Sequence, residues 1–260
     1  MNVYCMTCES YYPTLPGFAY QFNRHWGADQ HVTVVGFGPL TWENLYPVRK
    51  EGVDLPETLL PPNFNFISLG NQEDYPVGKW SDMLIRMLEI IPDDFPIIML
   101  EDYWLVKPVK RDIVDVLYQY MTTTRTVIKM DLCAERMYSA GVTDYGEIVT
   151  GEDGTGIEIV KSDYQSPYHM SLMVGIYNRN LMLHVLQPGW SPWEVELIGT
   201  PTLAAYEDNL LVLGTRQYPV HHTLIHRGGG CKKYLTDDLS SMDNAGLKEL
   251  RRLGFIQDRE

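Results

Sequence analysis

Cysteine, long apolar runs and positive charge are all scarce in this sequence. The 260 residues include 4 cysteines, and no apolar stretch approaches the length of about 20 residues that a membrane-spanning helix needs. The N-terminus lacks a basic segment followed by an apolar run. Lys and Arg number 21 against 34 Asp and Glu, a net charge of -13, which argues against a protein that mainly binds phosphate backbones. We expect a soluble, cytoplasmic protein.

Apolar residues are sufficient for a substantial core. They make up 45% of the chain, and 12% of the residues are aromatic, which excludes wholesale disorder. No internal repeat, low-complexity segment or Gly/Ser-rich linker divides the chain. We therefore expect one domain over residues 1–260.

Two of the cysteines, Cys5 and Cys8, form a CxxC pattern. Zinc binding needs a second pair of ligands, and a redox pair usually opens a helix. Here the pair lies in an apolar stretch, residues 3–8, that reads as a buried first strand. We interpret both as ordinary core thiols.

The first half of the chain alternates between strand and helix patterns. This alternation is typical of a mixed, mostly parallel sheet flanked by helices, an α/β fold. The predicted strands are residues 3–8, 31–37, 65–69, 96–100 and 126–130, and the predicted helices are residues 18–26, 80–91 and 113–121.

The second half is more irregular. A turn rich in Gly and Asp predicts a hairpin over residues 147–161, and short helices are expected at 181–186 and 247–255. Ser191, Pro192 and Glu194 predict a helix start with a capping box.

Two adjacent carboxylates, Glu101 and Asp102, directly follow the apolar run of residues 96–100 and precede Tyr103. The carboxyl ends of parallel strands line the ligand crevice of an open sheet. An acidic pair there suits a hard divalent ion whose other ligands are phosphate oxygens. A solvated turn is the alternative, and the spacing alone does not separate the two.

Two longer segments give the sequence a family resemblance. The segments KWSDMLIRMLEIIPDDFPIIMLEDYWLVKPV and SLMVGIYNRNLMLHVLQPGWSPWEVELIGT resemble a group of bacterial and phage glycosyltransferase-like proteins, over roughly residues 65–215. The shared features are a WS helix start, a strand ending in an acidic pair plus an aromatic residue, and a PWxxE sequence. The resemblance implies a GT-A-type fold, with residues 1–130 holding a nucleotide sugar and residues 131–260 shaping an acceptor half.

The resemblance also implies roles in donor binding. Glu101 and Asp102 take the place of the family's acidic pair and would contact Mn²⁺ or Mg²⁺ and, through it, a diphosphate. Because the family often has Asp where this chain has Glu101, Asp102 is the safer metal ligand. The alternatives are that Glu101 holds the ribose instead of the metal, or that the donor binds without metal. Asp82 would face the nucleotide. The position of the first strand's end makes Thr7, Glu9 and Tyr11 candidate nucleoside contacts.

The second segment supplies acceptor-side candidates. Glu194 is explained by the capping box and lies beside the substrate in the family pattern, whereas Glu196 matches the family's second Glu and would act as general base for an acceptor hydroxyl. Direct displacement by that hydroxyl would invert the anomeric configuration. Trp193 would offer an indole platform to a sugar, or would pack the helix start onto the core.

A basic, glycine-rich patch follows His221 and His222. His226 would complete a metal shell, and Arg227 and Lys232 would offset the charge on a nucleoside diphosphate leaving group. The alternative is a surface turn, which the histidines taken alone favour.

Together these features predict an enzyme that transfers a sugar, with UDP the expected nucleotide, to a saccharide hydroxyl or to a hydroxymethylated DNA base of a phage, in which case it would act in the host cytoplasm. A non-catalytic protein that keeps a GT-A-like scaffold for binding or assembly is the alternative. Basic residues gathered on one face would favour DNA. The candidates for such a face are Arg125, Lys129, Arg136, Lys161, Arg216, Arg227, Lys232 and Lys233.

Overall fold

The chain folds into alternating strands and helices in a computed structural model. The structure describes residues 1–47, 56–134, 141–150, 155–166, 168–206, 210–225 and 242–255. The strands are β1 (Val3–Met6), β2 (Val32–Gly36), β3 (Phe64–Ser68), β4 (Ile97–Leu100), β5 (Tyr103–Leu105), β6 (Val127–Asp131), β7 (Val142–Thr150), β8 (Thr155–Ser162), β9 (Gly175–Tyr177), β10 (Leu211–Thr215) and β11 (His222–Leu224).

The α-helices follow most of the predicted helical patterns. They are α1 (Leu15–His25), α2 (Trp42–Leu45), α3 (Trp80–Ile90), α4 (Arg111–Thr123), α5 (Arg179–Val185), α6 (Pro192–Leu197), α7 (Gly199–Ala204) and α8 (Asn244–Arg252). A 3₁₀ helix over Glu9–Thr14 precedes α1. Within the described ranges, no helix has the length and apolar character needed to cross a membrane.

The contacts divide the chain into two compact units. Unit 1 comprises Met1–Val3, Glu73–Met99 and Lys110–Val220, and unit 2 comprises Tyr4–Gln72, Leu100–Val109 and His221–Glu260. The proposed halves, residues 1–130 and 131–260, stay a prediction.

Unit 1 contains a large mixed sheet in the order β4-β9-β6-β10-β8-β7. Strand β9 runs antiparallel to both β4 and β6, β10 runs parallel to β6, and β8 runs antiparallel to both β10 and β7. Only β8 and β9 therefore oppose the common strand direction of this sheet. Helices α4 and α5 pack against β6. The predicted α/β class, a mostly parallel sheet flanked by helices, is confirmed.

The short strand β9 depends on a glycine. A Cβ atom at Gly175 would lie 2.8 Å from Lys129 Cε and 2.9 Å from the Met130 carbonyl oxygen. Any side chain there would displace β6, so only glycine lets β9 lie between β4 and β6.

Unit 2 contains the strands β3, β2 and β1, with β2 parallel to β3, and a separate antiparallel pair of β5 and β11. Its core is aromatic: Phe22 stacks on Trp26 with ring centroids 5.2 Å apart and meets Phe64 edge-on at 5.8 Å. Helix α1 packs on β5 because Gly17 leaves room for the Trp104 indole, whose ring carbons come within 2.0 Å of where a Cβ would be.

Candidate functional site

The acidic pair lies between β4 and β5, as the strand pattern predicted. Glu101 is only 7% exposed, and the side chain of Thr7, which directly follows β1, hydrogen-bonds to its carboxyl group. The backbone carbonyl of Asp102 accepts a hydrogen bond of 2.9 Å from the Ile225 N–H. The pair is thus built into unit 2 and is not a solvated turn.

Burial dominates the electrostatics of the pair. It raises the pKa of Glu101 well above its ordinary value, the charge of Asp102 adds to the effect, and the hydrogen bonds from its own N–H and from Thr7 oppose it. Burial also raises the pKa of Asp102 to about 7. Asp102 Oδ1 is buried and has no hydrogen-bond partner among the described residues. Two carboxyl groups therefore share a desolvated site in which no described cation offsets them.

The neighbouring thiols are unreactive in this environment. Burial and then the charge of Glu101 raise the pKa of Cys5 well above its ordinary value and that of Cys8 to about 11. Both cysteines are free. Cys5 is fully buried within β1, whereas Cys8 follows the strand and is half-buried, so the prediction of a core thiol is wrong for Cys8. The thiols stay protonated at neutral pH, which fits the interpretation as ordinary thiols and not a redox pair.

The loops after β1, β2 and β3 meet near Glu9. The Glu9 N–H donates to Gln72 Oε1 at 3.2 Å, and the Gly38 N–H donates to the Gly70 carbonyl at 2.7 Å. Gly38 and Gly70 have positive φ angles of 51° and 105°, which glycine adopts without strain. Glu9 is exposed beside this junction, whereas Tyr11 is half-buried in the 3₁₀ helix.

Tyr12 fixes the same loops and was not predicted. Its buried phenol accepts a hydrogen bond of 2.7 Å from the Phe37 N–H and donates one to the Phe37 carbonyl. The feature of the sequence that could have pointed to Tyr12 is its position next to Tyr11, which was a candidate nucleoside contact. The structure thus brings Thr7 to the acidic pair in unit 2, and Tyr12 holds the loop that carries Thr7 and Glu9.

His222 is a further residue whose position the sequence did not reveal. It lies in β11 with its ring centroid 4.7 Å from that of Tyr103 in β5. Burial, and then the charge of His221, lower the pKa of His222 to about 4, so its imidazole is neutral at pH 7. Its Nδ1 is buried without a partner among the described residues. The surface-turn interpretation of this histidine is wrong, because His222 lies in a strand that pairs with β5. That pairing joins residues far apart in the sequence, so the local pattern could not reveal it.

The second group of predicted residues lies in unit 1. Ser191 Oγ accepts a hydrogen bond from the Glu194 N–H at 3.3 Å, and Glu194 Oε2 accepts one from the Ser191 N–H at 2.8 Å. The predicted capping box of α6 is confirmed. Trp193 is 61% exposed and so is not packed into the core.

Glu196 lies further along α6 and is half-buried. Its Oε1 accepts a hydrogen bond of 2.8 Å from the Leu172 N–H. Burial raises its pKa, against which that hydrogen bond and the charge of Lys129 act. A carboxylate with a raised pKa is a stronger base, and the second oxygen, Oε2, is not needed for the bond to Leu172. Glu196 combines a structural bond with a chemically useful carboxylate.

Asp82 has a structural role in unit 1. Its Oδ2 accepts a hydrogen bond of 2.7 Å from the Gly189 N–H, and the neighbouring Ser81 Oγ accepts one of 2.9 Å from the Trp190 N–H. Both bonds attach the start of α3 to the turn before α6. A nucleotide contact by Asp82 stays a prediction.

The glycine-rich patch lies outside the described residues, so His226, Arg227 and Lys232 stay predictions. Among the residues that are described, no group of three or more His, Cys, Asp or Glu side chains could hold a metal ion. Glu101 and Asp102 supply carboxylate oxygens, and a metal site at this pair stays a prediction.

Four of the basic residues expected on a DNA-binding face are described, and three of them are buried, ion-paired or placed over an aromatic ring. Lys129 is 1% exposed and lies 2.7 Å from Asp131 Oδ1, so its expected place on a DNA-binding face is wrong. Arg216 pairs with Asp144, and the Lys161 ammonium lies 4.6 Å from the Tyr164 ring centroid. Arg125 is exposed. Arg136, Arg227, Lys232 and Lys233 lie outside the described residues.

No protein-family model matches the chain, and no curated protein matches it. Among solved structures, CMP:2-keto-3-deoxy-manno-octonic acid synthetase with CTP is 15% identical, with 97% of each chain covered and a TM-score of 0.44. UTP-bound UGPase from Acinetobacter baumannii is 9% identical, with 98% of this chain and 94% of that chain covered and a TM-score of 0.44. The galactosyltransferase LgtC with donor and acceptor sugar analogues is 13% identical, with 81% and 66% covered and a TM-score of 0.36. At these values the likeness assigns no activity to this chain.

Proposed function

We propose that this protein is a glycosyltransferase that moves a sugar from a nucleotide-diphosphate sugar, with UDP the expected nucleotide, to a hydroxyl acceptor. The observation that carries the proposal is the buried carboxyl pair of Glu101 and Asp102 at the end of β4, with Asp102 Oδ1 lacking a partner among the described residues. Uncompensated buried carboxyls are costly, and they persist where a ligand completes the site.

The oxygen donors of this pair fit Mn²⁺ or Mg²⁺. Mg²⁺ is commonly held by one or two carboxylates together with substrate phosphates, which is the donor set that the pair and a diphosphate would supply. A bound divalent ion would neutralise charge on the diphosphate leaving group. Asp102 and Glu101 would hold the ion, with His226 as a proposed further ligand. Thr7 would orient Glu101, and Glu9 and Tyr11 would border the nucleoside, with Asp82, Arg227 and Lys232 as further proposed donor contacts.

Glu196 is the proposed general base. Its half-buried position raises its pKa, and the bond from Leu172 fixes one oxygen while the other can receive a proton from an acceptor hydroxyl. Deprotonation of that hydroxyl during direct attack on the anomeric carbon would invert its configuration. The exposed Trp193 would give the acceptor an indole face, and Glu194 beside it would border the substrate.

A saccharide acceptor fits the described charges better than DNA. DNA binding requires several free Lys or Arg side chains on one face. Lys129 is buried and Arg216 is paired with carboxylates, so these two candidates do not contribute to such a surface.

Donor binding is tested by thermal shift with UDP-glucose, UDP-galactose and UDP-N-acetylglucosamine, each with and without Mn²⁺. A donor at one hundred times its Kd stabilises the fold by about 2.7 kcal/mol, a rise in Tm of about 5–10 °C. Asp102→Asn should lose the Mn²⁺-dependent part of the shift, and Asp115→Asn, an exposed carboxylate on α4, should keep it. A shift that Mn²⁺ does not change would reject the metal, and no shift with any nucleotide sugar would reject the function.

Catalysis is tested separately from binding. Glu196→Gln keeps an oxygen for the Leu172 N–H, so the fold and donor binding should survive while transfer falls by about 10²–10⁴-fold. Glu57→Gln, an exposed carboxylate, is the matched control. If the biological activity survives both Glu196→Gln and Asp102→Asn, the protein is a non-catalytic binding or structural protein.

A further inference from the structure

Unit 1 contains a pocket of mixed polar and apolar lining, and none of the described side chains proposed for catalysis or donor binding lines it. Its volume is about 440 Å³, within the range of about 300–1,000 Å³ typical of small-ligand sites. Its walls come from the loop before β4, the end of α4 and the start of α5. The polar lining side chains are those of Asp94, Thr122, Arg125, Asn178 and Asn180.

The floor and one wall are held by bonds within unit 1. The Asn178 N–H donates to the Ile128 carbonyl at 2.8 Å, and the Arg179 N–H donates to the Asp94 carbonyl at 2.9 Å. The Arg179 guanidinium donates to Asp94 Oδ1 at 2.7 Å and to the Ile91 carbonyl at 3.0 Å. The Arg179 guanidinium therefore orients the Asp94 carboxylate, which is itself 61% exposed.

Several lining groups retain unused hydrogen-bonding capacity. Asn178 is 7% exposed, and its Oδ1 accepts from the Leu181 N–H while its amide N–H groups have no acceptor among the described residues. Asp94 Oδ2 is free of the bond to Arg179, and the Thr122 hydroxyl, which donates to the Gln119 carbonyl at 2.8 Å, can still accept. Arg125 and Asn180 are exposed and have no partner among the described residues. Hydrogen-bond donors and acceptors with unused capacity thus surround the pocket.

The lining also selects a class of ligand. A divalent cation would meet Arg125 and a single carboxylate that is already paired. A polyanion would meet the carboxylate of Asp94, and an apolar ligand would find only Phe95 and Leu181 as apolar partners. A neutral ring with many hydroxyl groups can use the donors and acceptors together and can place an apolar face against Phe95.

We propose that this pocket binds a neutral saccharide ring, as a recognition site additional to the proposed donor and acceptor residues. The proposal does not depend on the proposed function, because it rests on the carboxylate that Arg179 orients, the buried amide of Asn178 and the mixed donors and acceptors of one pocket. A protein that acts on a glycan would use such a site to hold a sugar unit of the chain that is not reacting.

The test is direct binding of glucose, galactose and N-acetylglucosamine, measured by saturation-transfer NMR and by calorimetry. At least one should bind saturably. Asn180→Ala and Arg125→Ala should each weaken it by about tenfold, the effect of losing one good hydrogen bond. Both side chains are exposed, so the melting temperature should stay unchanged. Arg86→Ala, an exposed arginine paired with Glu89 on α3, should bind as the wild type does.

Three results would overturn the proposal. One is that none of the three sugars binds. Another is that a sugar binds but both pocket variants bind it normally while Asp102→Asn or Glu196→Gln does not, which would place the sugar at the proposed catalytic residues. The third is that inorganic phosphate displaces the sugar, which would make this an anion site.

Discussion

Each unit buries carboxylates, but the two differ in how the charge is offset. In unit 1, Asp131 is 3% exposed and lies 2.7 Å from the Lys129 ammonium, which also donates to the Ser171 carbonyl at 2.7 Å and to Ser171 Oγ at 2.8 Å. In unit 2, Glu101 and Asp102 have no ion pair among the described residues. A buried charge with an ion-pair partner supports the fold, whereas the pair in unit 2 has no such partner among the described residues, which is the basis of the proposed ligand site.

Removing the partner in unit 1 should have the largest effect on stability. Lys129→Met would leave Asp131 buried without its cation, so we expect a loss of about 3–5 kcal/mol in the free energy of unfolding. Urea denaturation measures this. Lys161→Met, which removes an ammonium from the surface near Tyr164, should cost about 0.5–1 kcal/mol. A Lys129→Met variant about as stable as the wild type would show that the pair is not structural.

Removing the Asp102 charge in unit 2 should raise the free energy of unfolding at neutral pH, whereas removing the Lys129 charge lowers it. The folded pKa of Asp102 is about 7 against an ordinary value of 3.8, so the folded protein holds this proton more tightly and loses stability as pH rises between those values. Asp102→Asn lacks that titration, so its free energy of unfolding should exceed that of the wild type at pH 7 and above. The gain should grow by at most about 1.4 kcal/mol per pH unit from pH 3.8 to 7, and it should vanish near pH 3.8. Urea denaturation across this pH range measures it.

The matched variant Asp115→Asn should show no such pH-dependent gain. Its carboxylate is exposed on α4. An Asp102→Asn variant that is less stable than the wild type at every pH would mean that the carboxylate has a stabilising partner.

The titration of His222 should lower the stability of the wild type as pH falls, whereas that of Asp102 lowers it as pH rises. Its folded pKa of about 4 lies below the ordinary 6.5, so the unfolded chain takes up the proton first, and the wild type loses stability as pH falls from 6.5 to about 4. His222→Phe keeps a ring against Tyr103 and removes this loss, which amounts to at most about 1.4 kcal/mol per pH unit. The exposed His31→Phe serves as the control, and an identical acid profile in both variants would contradict the burial of His222.

The smallest effect should come from the helix cap of unit 1. Ser191→Ala removes the acceptor for the Glu194 N–H, and loss of such a cap costs about 1 kcal/mol. Chemical denaturation should show a lower midpoint with an unchanged slope. No change in the midpoint would mean that water replaces the cap at this exposed helix start.

Local patterns in the sequence predicted local structure well. The capping box at Ser191 and Glu194 and the acidic pair after β4 each depend on neighbouring residues, and both are where the sequence placed them. The apolar stripe of α3 is also reproduced, with Met83, Leu84, Met87 and Leu88 buried.

Pairings between strands that are far apart along the chain could not be predicted from the sequence. Strands β5, β9 and β11 have three residues each, too few for a periodic pattern, and each is defined by a partner far along the chain. The burial of Lys129 follows from Asp131 and Ser171 and not from its own type, which usually indicates a surface residue. Strand β10 was not predicted, although the sequence contains its apolar run, Leu211–Thr215.

The contact between Gly17 and Trp104 bears on the order in which the chain can fold. The space above Gly17 is filled only when β5 is present, and unit 2 is assembled from three separated segments of the chain. Contacts of such large sequence separation slow folding, because the chain between the partners must close into a loop first. During synthesis, the space above Gly17 would therefore stay open until residue 104 has emerged, and a chain that stops before that residue would lack the indole that fills it.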